Sequence, residues 1–338
     1  MNCKLLQEVI LFNCDRNNIT QVGIASALSE IPTLTSFSFS ITPNLWYITS
    51  DFINSLVCLK GLTCLNLQHL GISDELLYSI ARECLPLTSL VLHCCDNYSY
   101  AGIFCLLSKR QGIQHLDLQN AYFLNNQHVI NLSLLLGDLL SINLSHCYKI
   151  TKLALFALAK NCPSLSEIKM DRIGNEIVEN SESSMELGVY PQLKSLYLCN
   201  NSWLSDENII TYASIFPNLQ LLDLSSCDRI SKGICEVLRR CCNIRHLNLA
   251  ECSRVKLIGM NLAECSRVKL IGMNFLVPKL EVWNLSSTKV NDKTLSTISK
   301  NCRGLLQLLL KHCDNVRDQG LKHVEENCTQ LMPSWLVF

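Results

Sequence analysis

"LLSINLSHCYKITKLALFALAKNCPSL", residues 139–165, changes its period halfway through. The first nine residues follow the template apolar-x-x-apolar-x-apolar-x-x-Cys, which alternates with the period of two that a strand requires. In the copy of this template that starts at Leu219, Leu222 and Leu224 point to one side while Leu221, Asp223 and Ser225 point to the other. From Ile150 onward the spacing lengthens to that of a helix, with Leu153, Phe156, Ala157 and Leu158 as its apolar contacts and Pro163 as its stop. The segment from Ile230 does the same with Ile234, Val237 and Leu238. Each unit is therefore a short strand, a turn and a helix, and neither element can bury its apolar side without a neighbour.

The template starts twelve times, at Leu6, Leu34, Leu62, Leu87, Ile113, Leu139, Leu165, Leu193, Leu219, Ile244, Leu280 and Leu305. Successive starts are 28, 28, 25, 26, 26, 26, 28, 26, 25, 36 and 25 residues apart. A strand frame recurring at this interval is the signature of leucine-rich repeats. The predicted fold is an α/β leucine-rich-repeat solenoid, a horseshoe with parallel strands on the concave face and helices on the convex face, because strands pack closer together than helices. Residues 1–338 are expected to form one array of about twelve repeats, with a truncated thirteenth frame at 331–338 where Pro333 stands in the strand.

Composition narrows the function. Lys plus Arg and Asp plus Glu are 29 each, so the positive excess that tracks a phosphate backbone is missing and nucleic acid is not an expected partner. No apolar run reaches membrane-spanning length, and the apolar start of the chain is broken by Gln7 and Glu8 without a cleavage site. These features place the chain in the cytoplasm or nucleus, with no membrane partner.

Twenty cysteines would suit an oxidised scaffold if their positions were irregular. Instead Cys14, Cys95, Cys147, Cys227, Cys252 and Cys313 occupy the ninth place of the template, and Cys84, Cys162, Cys241, Cys302 and Cys328 lie three residues ahead of the next start. A small buried hydrophobe with a weak donor fits both slots. There is no Cys-x-x-Cys pair, and the neighbours Cys94-Cys95 and Cys241-Cys242 would need distant ligands to hold a metal, so no metal or other cofactor is predicted. Phosphate loops, zinc-protease helices and nucleophile elbows are absent from the sequence. His93, His146 and His312 flank the ninth place, where they read as turn residues, and binding rather than catalysis is expected.

The couplet in residues 139–165, with its ninth-place cysteine and its "ITxxxLxxLAxxCPxL" continuation, resembles the cysteine-containing repeat of F-box/leucine-rich-repeat proteins, the plant members especially. The resemblance runs from Leu6 to Leu331. It implies the substrate receptor of an SCF-type ubiquitin ligase, in which an F-box docks on a Skp-type adaptor and cullin while the horseshoe holds the protein to be marked. The first strand begins by Leu6, which leaves no space for an F-box within the chain. Adaptor and cullin are thus expected only with an F-box upstream; the alternative is a repeat-only scaffold or competitor that recruits no ligase.

Binding is expected on the concave floor, at the third, fifth and seventh places. The fifth places in order are Ile10, Ser38, Asn66, Val91, Asp117, Asn143, Lys169, Tyr197, Asp223, Asn248, Asn284 and Leu309. Glu167, Lys169 and Asp171 alternate on one strand beside Tyr197, followed by Asp223 and His246, with His115, Asp117 and Asn284 on the same floor. Mixed charge around an aromatic anchor suits a protein segment. Gln307 and Lys311 flank Leu309 in a second patch.

Two stretches break the pattern. Glu176, Glu179, Glu182 and Glu186 mark an acidic outer loop. Residues 248–260 are repeated letter for letter as 261–273, and deleting one copy would shorten the interval of 36 to an ordinary repeat. The duplicate is predicted to leave the convex side as a bulge or irregular connection, and its removal to stabilise the array.

Overall fold

The computed structural model describes residues 5–14, 19–41, 46–109, 112–175, 188–253, 276–331 and 336–337. It divides into two compact units, residues 1–168 with 173–179 and residues 169–172 with 180–338. Both are leucine-rich-repeat solenoids. In the first, the strands Glu8–Cys14, Ser36–Ile41, Cys64–Gln68, Ser89–Val91, His115–Asp117 and Ser141–Asn143 pair in parallel, each with the next. In the second, Ser195–Tyr197, Leu221–Asp223, His246–Asn248, Val282–Asn284, Gln307–Leu309 and Leu336–Val337 do the same.

Register joins like places of the template: Ser89, His115 and Ser141 lie side by side, as do Leu221, His246, Val282 and Gln307. The first, fourth and sixth places form the core; Leu219, Leu222 and Leu224 are at most 3% exposed. Burying each such leucine is worth about 1.5–3 kcal/mol. Most strands cover only the third to fifth places, yet the ladder of backbone bonds runs on. The eighth-place N–H of Asn200 donates to Ser225 O at 2.8 Å and that of Ser226 to Ala250 O at 2.8 Å. To aim these groups the eighth residue turns left-handed. His69, Cys94, Asn120 and His146 in the first unit, and Arg172, Asn200, Ser226, Glu251, Ser287 and His312 in the second, all have φ between 50° and 67°.

Immediately afterwards the ninth place turns inward. The thiol of Cys95 donates to Leu67 O at 3.3 Å and that of Cys147 to Leu118 O at 3.5 Å. In the second unit Cys227, Cys252 and Cys313 reach Leu198, Leu224 and Leu285 carbonyls at 3.2, 3.0 and 3.1 Å. Every acceptor is the sixth place of the preceding repeat. Asn201, a ninth-place residue without sulfur, performs the same task, donating to Met170 O at 2.9 Å and Leu198 O at 3.0 Å. The slot thus selects a compact donor rather than a cysteine as such. Cys162, Cys241, Cys302 and Cys328 are buried as expected from their spacing, whereas Cys84 is exposed because the chain turns left-handed there at φ 51°.

Helices follow each turn, and Thr20, Thr49, Ser99, Asn125, Thr151 and Asn291 cap them through their side chains. Two helices of the second unit start after Lys232 and Arg317, which cannot accept a bond. There Asp206 and Asp292, from the first turn of the preceding helix, accept instead: Ser231 N–H at 2.7 Å, Lys232 N–H at 3.0 Å and Arg317 N–H at 2.8 Å. The approach demands Gly233 and Gly320, since a Cβ would come within 2.9 Å of Asp206 Cα and 2.4 Å of Asp292 Oδ1.

Ser38 keeps the fifth place, in register with Ile10 and Asn66, but is only 7% exposed, a small residue overshadowed by those neighbours. In the thirteenth frame, residues 332–335 lie outside the described residues, and Leu336–Val337 pairs with Leu308 and Leu309. In the interval of 36, the strand His246–Asn248 pairs directly with Val282–Asn284, so no extra rung separates them. The duplicate itself from residue 254 on, and the acidic stretch from Glu176 to Glu186, lie outside the described residues. Among the described residues no helix is long and apolar enough to cross a membrane.

Candidate binding surfaces

Alternation of the strand leaves the third, fifth and seventh places uncovered, and the predicted site residues are found there. In the first unit His115 is exposed, with Asp117 and Glu167 half-buried. In the second, Lys169, Asp171, Tyr197, Asp223, Asn284 and Gln307 are half-buried, while His246 and Lys311 are exposed. Lys169 Nζ stands 5.1 Å from the centroid of the Tyr197 ring, a cation over an aromatic face, and Tyr197 is in register with Asp223. These three converge. Gln307 and Lys311 do not join them, since Gln307–Leu309 is the fourth strand beyond Tyr197, roughly 19 Å away at the usual strand spacing.

The fifth-place acids and amides are engaged in the fold. Asp117 Oδ1 accepts the Gln119 N–H at 2.9 Å, and its Oδ2 accepts Asn143 Nδ2 at 2.9 Å. Asp223 repeats this geometry with Ser225 N–H at 2.9 Å and Asn248 Nδ2 at 2.9 Å. Asn284 accepts the Ser286 N–H at 3.0 Å. Each carboxylate or amide closes the turn that leaves its own strand, so Asp117, Asp223 and Asn284 present only their outer edge to a ligand. His115 is likewise tied, Nδ1 lying 2.7 Å from Ser141 Oγ. Asp171 accepts the Cys199 N–H of the next rung at 2.7 Å.

A shallow cavity of about 320 Å³ opens at the strand starts of the second unit, lined by Lys194, Gln220, Asn243, Arg245 and Lys279 among others. Arg245 pairs with Glu281 at 3.0 Å and Lys279 donates to Asn243 Oδ1 at 2.7 Å, which leaves a cationic, hydrogen-bonding rim suited to polar or acidic chain.

The first unit carries a surface that the spacing does not announce. Tyr122 and Tyr148, the tenth places of consecutive repeats, stack with centroids 5.7 Å apart and planes 7° from parallel, and both remain about half exposed. His146 Nδ1 lies 3.3 Å from Tyr148 Oη. Exposed, mutually supported aromatic rings are the material of interface anchors. On the same kind of turn, His69 and His93 meet edge to face at 5.6 Å beside Cys94. Burial pushes the His93 imidazole below its ordinary value, opposed by Asp117 and aided by His69 and His146. Burial raises the Cys94 thiol, with Asp117 and Asp96 acting in the same direction. The sequence predicts no metal ligands here because His69 lies one repeat ahead of the adjacent pair His93 and Cys94; stacking supplies the missing proximity. His69 and Cys94 are eighth places with left-handed backbone, and His93 is the seventh place beside Cys94.

No family model matches the chain. A chain from the crystal structure of the Rad7 and Elc1 complex in yeast is similar in structure, with a TM-score of 0.59 at 19% identity over 93% of this chain and 82% of that one. An internalin, InlF, from Listeria monocytogenes strain 4b F2365 gives a TM-score of 0.57 at 17% identity over 97% of this chain and 86% of that one. Both likenesses are of fold alone. They place the chain among leucine-rich-repeat solenoids.

Proposed function

We propose that the chain is a protein-binding module whose strand face grips a partner, and that it serves as the substrate-recognition part of an SCF-type ubiquitin ligase receptor. The observation that carries this reading is the ninth-place donor slot. A thiol there donates to the sixth-place carbonyl of the preceding repeat in both units, which gives the cysteine-containing wording of the F-box/leucine-rich-repeat class a structural reason. The similarity to a chain of the Rad7 and Elc1 complex supports it at the level of fold. Lys169, Tyr197, Asp223 and His246 are the proposed grip, with Glu167, Asp171, His115 and Asp117 beside them and Asn284, Gln307 and Lys311 as a secondary patch. A protein substrate suits this mixture of one aromatic ring with charges of both signs.

Copurification tests the two levels separately. The chain is expressed from its full transcript with a Skp-type adaptor and a cullin, and the partner is crosslinked before mass spectrometry. Retention of the adaptor, with crosslinks to a substrate at the strand face, is the expected result. A chain that retains a protein partner at that face but never the adaptor overturns the ligase reading and leaves a binding scaffold. Crosslinks confined to the helices overturn the binding surface itself.

A further inference from the structure

We propose that His69, His93 and Cys94 form a site for a transition-metal ion of the zinc class, open to solvent at one coordination position. Their candidate ligand atoms, two imidazole nitrogens and one thiol sulfur, all lie within 4.8 Å of one another, and all three residues are half-buried. A tetrahedral ion bound at the usual metal–nitrogen and metal–sulfur lengths needs these atoms about 3.3 to 3.6 Å apart. Side-chain rotation closes that gap, because the three residues sit on turns at the rim rather than inside the packed core.

The backbone fixes the arrangement. His69 donates its N–H to His93 O at 3.0 Å and Cys94 donates to Gln119 O at 3.2 Å, so three consecutive repeats hold the two turns together. His69 and Cys94 are eighth-place residues with φ of 57° and 54°. That conformation turns Cys94 away from the interior slot taken by its neighbour Cys95.

An outer donor faces the thiol. Asn120 Nδ2 lies 3.0 Å from Cys94 Sγ, a donor placed to support a thiolate, while Asn120 Oδ1 is buried without a partner. Outer contacts of this kind orient metal ligands and tune their affinity. On binding, the thiol proton leaves to solvent and sulfur takes up the metal bond in its place. Two nitrogens and one sulfur suit Zn²⁺ or Co²⁺ and discriminate against the oxygen-seeking Mg²⁺ and Ca²⁺. The fourth position is left for water or for a group from a bound protein.

The experiment titrates the reduced full chain with Zn²⁺ by calorimetry and with Co²⁺ by absorption spectroscopy. One equivalent is expected, with a thiolate-to-cobalt charge-transfer band. C94S, and separately the double variant H69A/H93A, should weaken binding at least a hundredfold and abolish or alter that band, and N120A should weaken it about tenfold. The exposed cysteines elsewhere are controlled by C58S/C84S/C242S, which should bind as before. Unchanged affinity in C94S and H69A/H93A, a cobalt spectrum without the sulfur band, or loss of the bound equivalent in the triple control overturns the site. Since a variant can fail to fold, wild-type protein is also alkylated with and without Zn²⁺. Protection of Cys94, with Cys58 and Cys84 labelled equally in both conditions, supports the site, and equal labelling of Cys94 refutes it.

Discussion

The eighth and ninth places of the repeat stand side by side and behave oppositely. Cys94 turns to the rim, half-buried, with a left-handed backbone and two histidines for neighbours. Cys95 turns inward, 3% exposed, and donates to the preceding repeat. One peptide bond separates a position where side-chain chemistry can vary from one where geometry admits only a compact donor. The same division separates the floor from its supports: Tyr197 meets a cation from its neighbour, while Asp223 on the next strand braces a turn. Function in a repeat array therefore collects at places whose backbone is satisfied without the side chain.

The inward slots yield the largest expected effect. Burial pushes the thiols of Cys95, Cys147, Cys162, Cys241 and Cys302 up to about 12. In the unfolded chain a thiol loses its proton near 8.5. The folded state therefore holds protons that the unfolded state has released, and stability falls as pH rises from about 8.5 toward 12. Each thiol costs on the order of 1.4 kcal/mol per pH unit in that window, several kcal/mol together by pH 9.5. The urea midpoint of reduced protein between pH 7.5 and 9.5 reads this directly. A flat midpoint would mean that the ninth-place and pre-start thiols are not held as the fold holds them, and C147A/C241A should flatten the slope in part.

On the floor, Tyr197→Ala should weaken an identified partner by about 2 kcal/mol, roughly thirtyfold, with the urea midpoint little changed. Tyr122→Ala at the first unit's rim is the counterpart. If surface plasmon resonance gives the larger loss for Tyr122, the aromatic rim rather than the charged floor is the principal anchor, and the comparison reverses.

The ninth slot can be sharpened by exchange. Asn201→Ala removes the side-chain donor to the Met170 carbonyl and one of the two donors to the Leu198 carbonyl, which keeps Cys227, and should cost about 1–2 kcal/mol in urea unfolding. Asn201→Cys should recover most of that loss, because a thiol makes the corresponding bond in Cys227 and Cys252. Cysteine no better than alanine at this position would show that the contact is incidental.

Much of this was legible beforehand. The template gave the strand register, the buried first, fourth and sixth places and the inward cysteines, because periodicity is imposed by one repeating contact. Ser38 keeps its floor position but little exposed surface, since exposure depends on the size of its neighbours Ile10 and Asn66, which no single frame contains. The roles of Asp117 and Asp223 as turn braces were hidden for a different reason: an acid beside a strand reads alike whether it faces a partner or its own backbone. His69, His93 and Cys94 required stacking, which brings residues about a repeat apart into contact without leaving any trace in local spacing.

The smallest effect concerns the left-handed eighth place. His312 adopts φ 58° on an exposed turn, a conformation that costs an ordinary residue about 1 kcal/mol or more and glycine very little. Glycine in turn loses more freedom on folding, which returns part of the gain. His312→Gly should therefore raise the urea midpoint by the equivalent of about 0.5 kcal/mol. The same exchange at Cys94 removes a proposed metal ligand, so with Zn²⁺ present it should lower stability instead of raising it. Opposite signs at two eighth places of equal backbone geometry would separate conformational strain from a side chain kept for its chemistry, and equal signs would leave strain alone to account for both.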